Sequence, residues 1–140
     1  MSARDLPADF ATSLVSKVAP AMATAAVAVT ATGSDGTGSY TEIIAANGVT
    51  NDFCVYGVVV GGAGANAGNW NGRIGTGAAA SEVQIGAFAG YDQTKLGAET
   101  CLFPVPLLVA ANTRIAVALS NTNATGRTFG VRVLYYDGVL

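Results

Sequence analysis

The sequence predicts an all-β fold: a jelly-roll-like antiparallel β-sandwich of about eight strands behind an N-terminal arm. Two observations predict it. From about Ala25 onward, apolar residues recur at a period of two in short runs, the spacing that sends alternate side chains to opposite faces of a strand. Between the runs stand clusters of glycine, asparagine, serine and proline, which turn the chain. A length of 140 residues suits one such domain, and a helical domain is excluded.

The chain divides into an arm, residues 1–24, and a sandwich body, residues 25–140. In the arm, Leu6, Phe10, Leu14 and Val18 recur every four residues, which would align them on one helical stripe. Asp5 would cap that helix, Pro7 fits its first turn and Pro20 would stop it. The alternative is an extended arm that docks on a neighbour. Either way its apolar residues need a partner, so Leu6, Phe10 and Leu14 are the candidates for contact with another subunit.

In the body, Val27, Val29 and Ala31 alternate with Ala28, Thr30 and Thr32 before the glycine-rich turn 33–38. Tyr40 to Ala45 is a second strand, closed by Asn47-Gly48, a strong turn signal. Phe53 to Val60 is apolar on both faces, so it is expected to be buried in the sandwich or covered by a neighbour. Gly61 to Asn71 reads as a loop, and Arg73 to Thr76 as a short strand. In Glu82 to Ala87 the alternation predicts Val83 and Ile85 facing in, with Glu82 and Gln84 facing out. A long loop runs through Tyr91 to Glu99. Pro104 and Pro106 cannot donate to a central ladder, so Cys101 to Leu107 is an edge or crossing segment. Arg114 to Ser120 puts Ile115, Val117 and Leu119 on one face. After the polar turn 121–126, Phe129, Val131, Val133 and Tyr135 oppose Arg132 and Leu134.

Composition narrows the function. Soluble domains average about 25% charged residues, and this chain has 11%. A monomer keeps its surface charged to stay soluble, so so few charges point to an assembly subunit that hides surface against neighbours. The seven basic residues form no run, and no nucleic-acid partner is expected. The apolar run Val18 to Val29 is shorter than the ~20 residues that span a bilayer, so no membrane partner is expected. Met1 to Asp5 lacks the basic start of a targeting segment, and Lys17 and Pro20 interrupt the one apolar candidate. The chain is expected to be soluble.

Catalytic chemistry is scarcely represented. With no histidine, the commonest general base and every Ser-His-Asp or Cys-His arrangement are missing. The carboxylates Asp35, Glu42, Asp52, Glu82, Asp92, Glu99 and Asp137 lie mostly in loops or at outward strand positions, where solvation or ion pairing accounts for them. Two cysteines without histidine cannot complete a usual zinc site. Cys54 and Cys101 read as small buried hydrophobes, with a disulfide as the other option. Asp35 sits in a glycine-rich turn without the clustered carboxylates of a calcium loop. Gly61 to Gly64 lacks the Gly-Lys-Ser/Thr of a phosphate loop. No enzyme, cofactor or metal is therefore expected. Trp70 and Asn71 in one loop and Tyr91 in another are possible contacts, since an aromatic face can stack on a sugar while amides hydrogen-bond its hydroxyls. The competing reading has Trp70 anchoring its loop on the core or an interface.

Two stretches carry a resemblance. Arg73-Ile74-Gly75-Thr76-Gly77-Ala78-Ala79-Ala80-Ser81-Glu82-Val83-Gln84-Ile85-Gly86 is one, and Leu102 through Ala116, containing Phe103-Pro104-Val105-Pro106-Leu107 and Thr113-Arg114-Ile115-Ala116, is the other. Together with Tyr40 to Ala45, they resemble small β-sandwich structural proteins of tailed bacteriophages, of the capsid decoration (cement) type. The resemblance covers roughly residues 40–136 and leaves the arm unmatched. It implies a virion component assembled in the bacterial host cytoplasm, where thiols stay reduced. It also implies a homotrimer that stabilises the head by bridging subunits of the major capsid protein. Similar sandwiches serve in tails and fibres, so the alternative is a receptor- or glycan-binding module. The chain departs from the pattern at Ala110-Ala111-Asn112, where Pro-Ala-Gly would stand. Asparagine tolerates the left-handed conformation that glycine would supply, so the turn is expected to survive.

Overall fold

The period-two runs form strands. The structure is a computed structural model that describes residues 15–34, 36–62, 68–92, 98–123 and 125–138. Nine strands lie among them: β1 Val15–Ala19, β2 Val27–Ala31, β3 Thr41–Ile44, β4 Phe53–Gly61, β5 Gly68–Thr76, β6 Val83–Asp92, β7 Ala98–Val109, β8 Ile115–Asn121 and β9 Arg127–Asp137.

They make two antiparallel sheets. One runs β1-β9-β4-β7, with β2 also paired to β9, and the other runs β3-β8-β5-β6. The pairs β2–β9, β3–β8, β4–β7 and β5–β6 are nested, as in a long hairpin rolled up into two layers. That nesting is the jelly-roll topology. It matches the expected fold, and β1 is the strand beyond the eight.

β1 resolves the two readings of the arm for residues 15–19. Val18 lies on an extended strand opposite Leu134, and Lys17 lies opposite Tyr135, not on a helical stripe. β9 is eleven residues long; β2 covers its first half and β1 its second, which satisfies donors and acceptors that an open edge would expose. The five-stranded sheet therefore begins ahead of the expected boundary at residue 25. Arg132 fastens the connection, its Nη1 donating to the carbonyls of Pro20 (2.6 Å) and Ala21 (2.8 Å), and its Nη2 to that of Thr24. Leu6, Phe10 and Leu14 lie outside the described residues.

The core lies between the layers. Phe53, Val55, Val58 and Val60 of β4 and Phe129, Val131 and Val133 of β9 face Trp70 and Ile74 of β5 and Ile115, Val117 and Leu119 of β8. Each such side chain contributes about 1.5–3 kcal/mol by leaving water. The β4 pairings shift between Val55 and Gly57, a bulge that carries the inward parity from Val55 to Val58. β7 is an edge strand with Pro104 and Pro106 on it, as the prolines required.

Two expectations are corrected. Residues 68–71 are strand, not loop. Val83 faces out and is exposed, whereas the Glu82 side chain is buried against Arg114. The β5–β6 pairing shifts between Ile74 and Gly75, which breaks the simple alternation that predicted the opposite.

Candidate functional site

Trp70, Asn71 and Tyr91 sit on paired strands rather than loops, with Asn69 opposite Tyr91 and Asn71 opposite Ala89. Trp70 points inward and is 2% exposed. Its ring meets Phe88 edge-on at a centroid distance of 5.8 Å and Phe129 at 6.2 Å. An indole held this way offers no face to a sugar. It anchors the core, which corrects the loop-contact reading. Asn71 follows on the strand, so it points to the opposite face and is exposed. Trp70 and Asn71 therefore do not converge on a ligand.

Glu42, Asp52, Glu82 and Asp137 are occupied by ion pairs and hydrogen bonds. Arg114, just ahead of β8, donates from Nε to Glu42 Oε2 at 2.8 Å and from Nη1 to Glu82 Oε1 at 2.8 Å. Nη1 also reaches the Gly77 carbonyl at 3.2 Å. One guanidinium thus ties β3 and the β5–β6 turn to β8. The hydrogen bond from Arg114 holds the Glu82 carboxyl below its ordinary range, which keeps it ionised and suits it poorly to proton transfer. Lys17 pairs with Asp137 in the same way and lowers that carboxyl too, and Asn51 Nδ2 donates to Asp137 Oδ1 at 3.3 Å. Asp52 Oδ1 accepts the Ala111 amide at 2.8 Å. Asp35 lies outside the described residues. Among the described residues, no three His, Cys, Asp or Glu side chains gather to hold a metal ion.

A depression of about 360 Å³ lies over the four-stranded sheet, lined by Thr37, Ser39, Tyr40, Arg73, Ala80 and Glu82 among others. Arg73 donates from Nη2 to the Gly38 carbonyl at 3.1 Å, and its guanidinium carbon sits 5.6 Å from the Tyr40 ring centroid. Both contacts pin the 37–40 segment to the sheet. Cys54 and Cys101 are free thiols, opposite Leu108 and Val58 respectively on β4–β7, which resolves the disulfide question. Burial pushes both thiols up and so keeps them poor nucleophiles at neutral pH.

The largest anomaly is the solvent side of the five-stranded sheet. Cross-strand partners share a face, so the register defines its members. Tyr136 lies opposite Ser16 and Cys54, Leu134 opposite Val18 and Gly57, Leu108 opposite Cys54, and Leu102 opposite Gly57. Gly57 leaves room for these neighbours: a Cβ there would come within 2.9 Å of Leu102 Cδ2 and 3.3 Å of Leu134 Cδ1. Tyr56 and Tyr136 stack at 4.6 Å, and the Tyr56 hydroxyl and Ser16 Oγ are hydrogen-bonded at 2.7 Å. Leu102 is 65% exposed, Leu108 76% and Met22 74%. A depression of about 470 Å³ opens beside Met22, Tyr56 and Leu134. An antiparallel sheet with one side in water ordinarily alternates polar residues on that side. This one is mostly leucine, tyrosine and valine, with Ser16, Thr100 and Arg132 among them. The sequence signal was Phe53 to Val60, apolar on both faces, though the contribution of β7 and β9 was not legible from it.

Fold and surface together define a class: a jelly-roll sandwich with an apolar outer sheet face. Comparison with protein families, curated proteins and solved structures finds no match to this chain.

Proposed function

We propose that this chain is a structural subunit of a tailed-phage virion, of the capsid decoration type, which stabilises the head by bridging subunits of the major capsid protein. The observation that carries the reading is the apolar solvent side of the five-stranded sheet on a chain with 11% charged residues. Such a surface is made to be covered. The mechanism is burial: a standard interface covers about 1,600 Å² in total, and several such contacts around a particle add up. Self-association as a homotrimer suits the closed symmetry of capsid positions. The arm residues Leu6, Phe10 and Leu14 are assigned to the capsid contact, because β1 delivers the chain to them from a sheet edge.

The alternative, a glycan-binding module of a tail or fibre, loses Trp70 as a stacking ring, since that side chain is buried. Co-sedimentation with heads that lack the protein, with empty tails as the comparison, tests the proposal. Saturable binding to heads, with greater resistance of those heads to heat or chelator, is the expected result. Binding to tails or host cells alone would overturn it in favour of adhesion. Phe10→Asp should abolish head binding while the body keeps its strand signature in circular dichroism, and normal binding by that variant would remove the arm from the mechanism.

A further inference from the structure

We propose that the outer face of the five-stranded sheet is covered by another copy of this chain, as the subunit contact of a closed homo-oligomer. The inference rests on reading the chain as an assembly subunit, and it names what covers this particular surface.

Charge selects the occupant. The face carries Tyr56, Leu134 and Tyr136 on its inner strands and Leu102 and Leu108 on the edge strand β7, none of them charged at neutral pH. Arg132 also lies on this side, but its guanidinium is engaged by three carbonyl oxygens of the 20–24 turn. The other polar members are uncharged, with Ser16 opposite Tyr136 and Thr100 opposite Val59. Thr30 and Thr128 share a hydrogen bond of 3.1 Å at one end, whereas Lys17 and Asp137 pair on the other side of the sheet, with Lys17 opposite Tyr135 and Asp137 opposite Phe53. An apolar, aromatic surface depleted of free charge is the anatomy of an interface core. A surface without free charge has nothing with which to select a charged partner, and its complement is a second apolar face. Copies of this chain supply that face in equal number, and closed symmetry then buries it on every subunit.

Area and edge geometry agree with this. β4 is nine residues long. With a rise of about 3.3 Å per residue and about 4.8 Å between strands, four strands cover a plane of roughly 600 Å² before side-chain relief is added. A standard interface needs about 800 Å² of accessible surface per partner. Association by sheet extension is blocked at the β7 edge, where Pro104 and Pro106 remove donors. The face, not that edge, is the available contact.

The test is analytical ultracentrifugation of the purified full chain with no particles present. The expected mass is that of two or three 14.0 kDa chains. Leu108→Glu and Leu102→Glu, both at exposed positions that leave the core untouched, should each weaken association by at least about 30-fold, the size of effect an interface hot spot gives. Val83→Glu, an equally exposed position on the other sheet, should leave the mass unchanged. A monomeric wild-type chain at micromolar concentration, or an oligomer indifferent to both leucine variants, would overturn the inference. The two proposals fail separately. A monomer that still binds heads would leave the virion reading standing, and an oligomer that binds neither heads nor tails would leave only this one.

Discussion

The Trp70 ring fills the space that a side chain at Gly90, its cross-strand partner, would need: a Cβ there would sit 2.3 Å from Trp70 Cζ2. Two residues along, the roles reverse. Phe88 lies over Gly72, where a Cβ would sit 2.2 Å from the ring. The β5–β6 ladder thus alternates aromatic over glycine and glycine under aromatic, which lets two large rings pack side by side within one layer of core. Gly72→Ala should cost about 1–3 kcal/mol through overpacking. Phe88→Leu in the same chain should recover part of it, because the two sites share one space. Urea midpoints of the two single variants and the double variant measure the coupling, and strict additivity would mean that Phe88 does not press on Gly72.

Trp70→Ala removes the largest fully buried side chain and should destabilise the fold by about 3–5 kcal/mol, the range for emptying an aromatic site. Asn71→Ala, one residue on and facing solvent, should stay within about 0.5 kcal/mol. If instead Asn71→Ala proved the costlier change by urea titration, the assignment of faces along β5 would be wrong.

The ion pairs set a pH dependence. Glu82 is held below its ordinary 4.5 by Arg114, and Asp137 below its ordinary 3.8 by Lys17. A carboxyl lowered on folding contributes stability that is complete above its unfolded value and is lost as the pH falls through the folded one. Stability should therefore hold from about pH 7 to 5 and decline below ~4.5. Lys17 has the opposite sign. Its value is raised above 10.5 by Asp137, so its contribution is present below that value and fades as the pH rises through the folded one. Arg114→Gln should make the acid decline shallower, since Glu82 would then titrate nearer its ordinary value. Thermal melts of both chains at pH 7, 5, 4 and 3 would show it, and parallel acid declines would remove Glu82 from the account.

What the sequence made legible follows local rules, and what it hid depends on partners distant along the chain. The alternation of Phe129 to Tyr135 foretold the inward face of β9, and the spacing of Pro104 and Pro106 foretold an edge. Trp70 looked like a loop residue because glycine and asparagine surround it, and these are poor strand formers. Packing against Phe129 overrides that propensity. Glu82 looked solvent-facing because nothing near it in the chain announces Arg114, which arrives from β8 to bury it. The four-residue spacing that ends at Val18 suggested a helix, yet the open half of β9 recruits residues 15–19 as a strand. Most of the outer sheet face was hidden for the same reason: its members come from four strands, and only their register brings them together.

Two turns share a left-handed residue of different character. Asn112 has φ 62° and Ala80 φ 64°. Asparagine visits this region readily, whereas alanine crowds its Cβ against the carbonyl, at about 1–2 kcal/mol. Asn112 is also zipped into place: its amide donates to the Val49 carbonyl at 2.8 Å, and its own carbonyl accepts from the Asn47 amide at 3.2 Å. Exchanging side chains at these positions should therefore have opposite signs. Asn112→Ala should lose about 1 kcal/mol, and Ala80→Gly should gain roughly 0.5–1 kcal/mol after the added freedom of the unfolded chain is subtracted. Urea midpoints decide it. A loss in Ala80→Gly would mean that the Ala80 methyl makes contacts worth more than its strain, and that the turn which carries Gly77 toward Arg114 is held by packing rather than by backbone geometry.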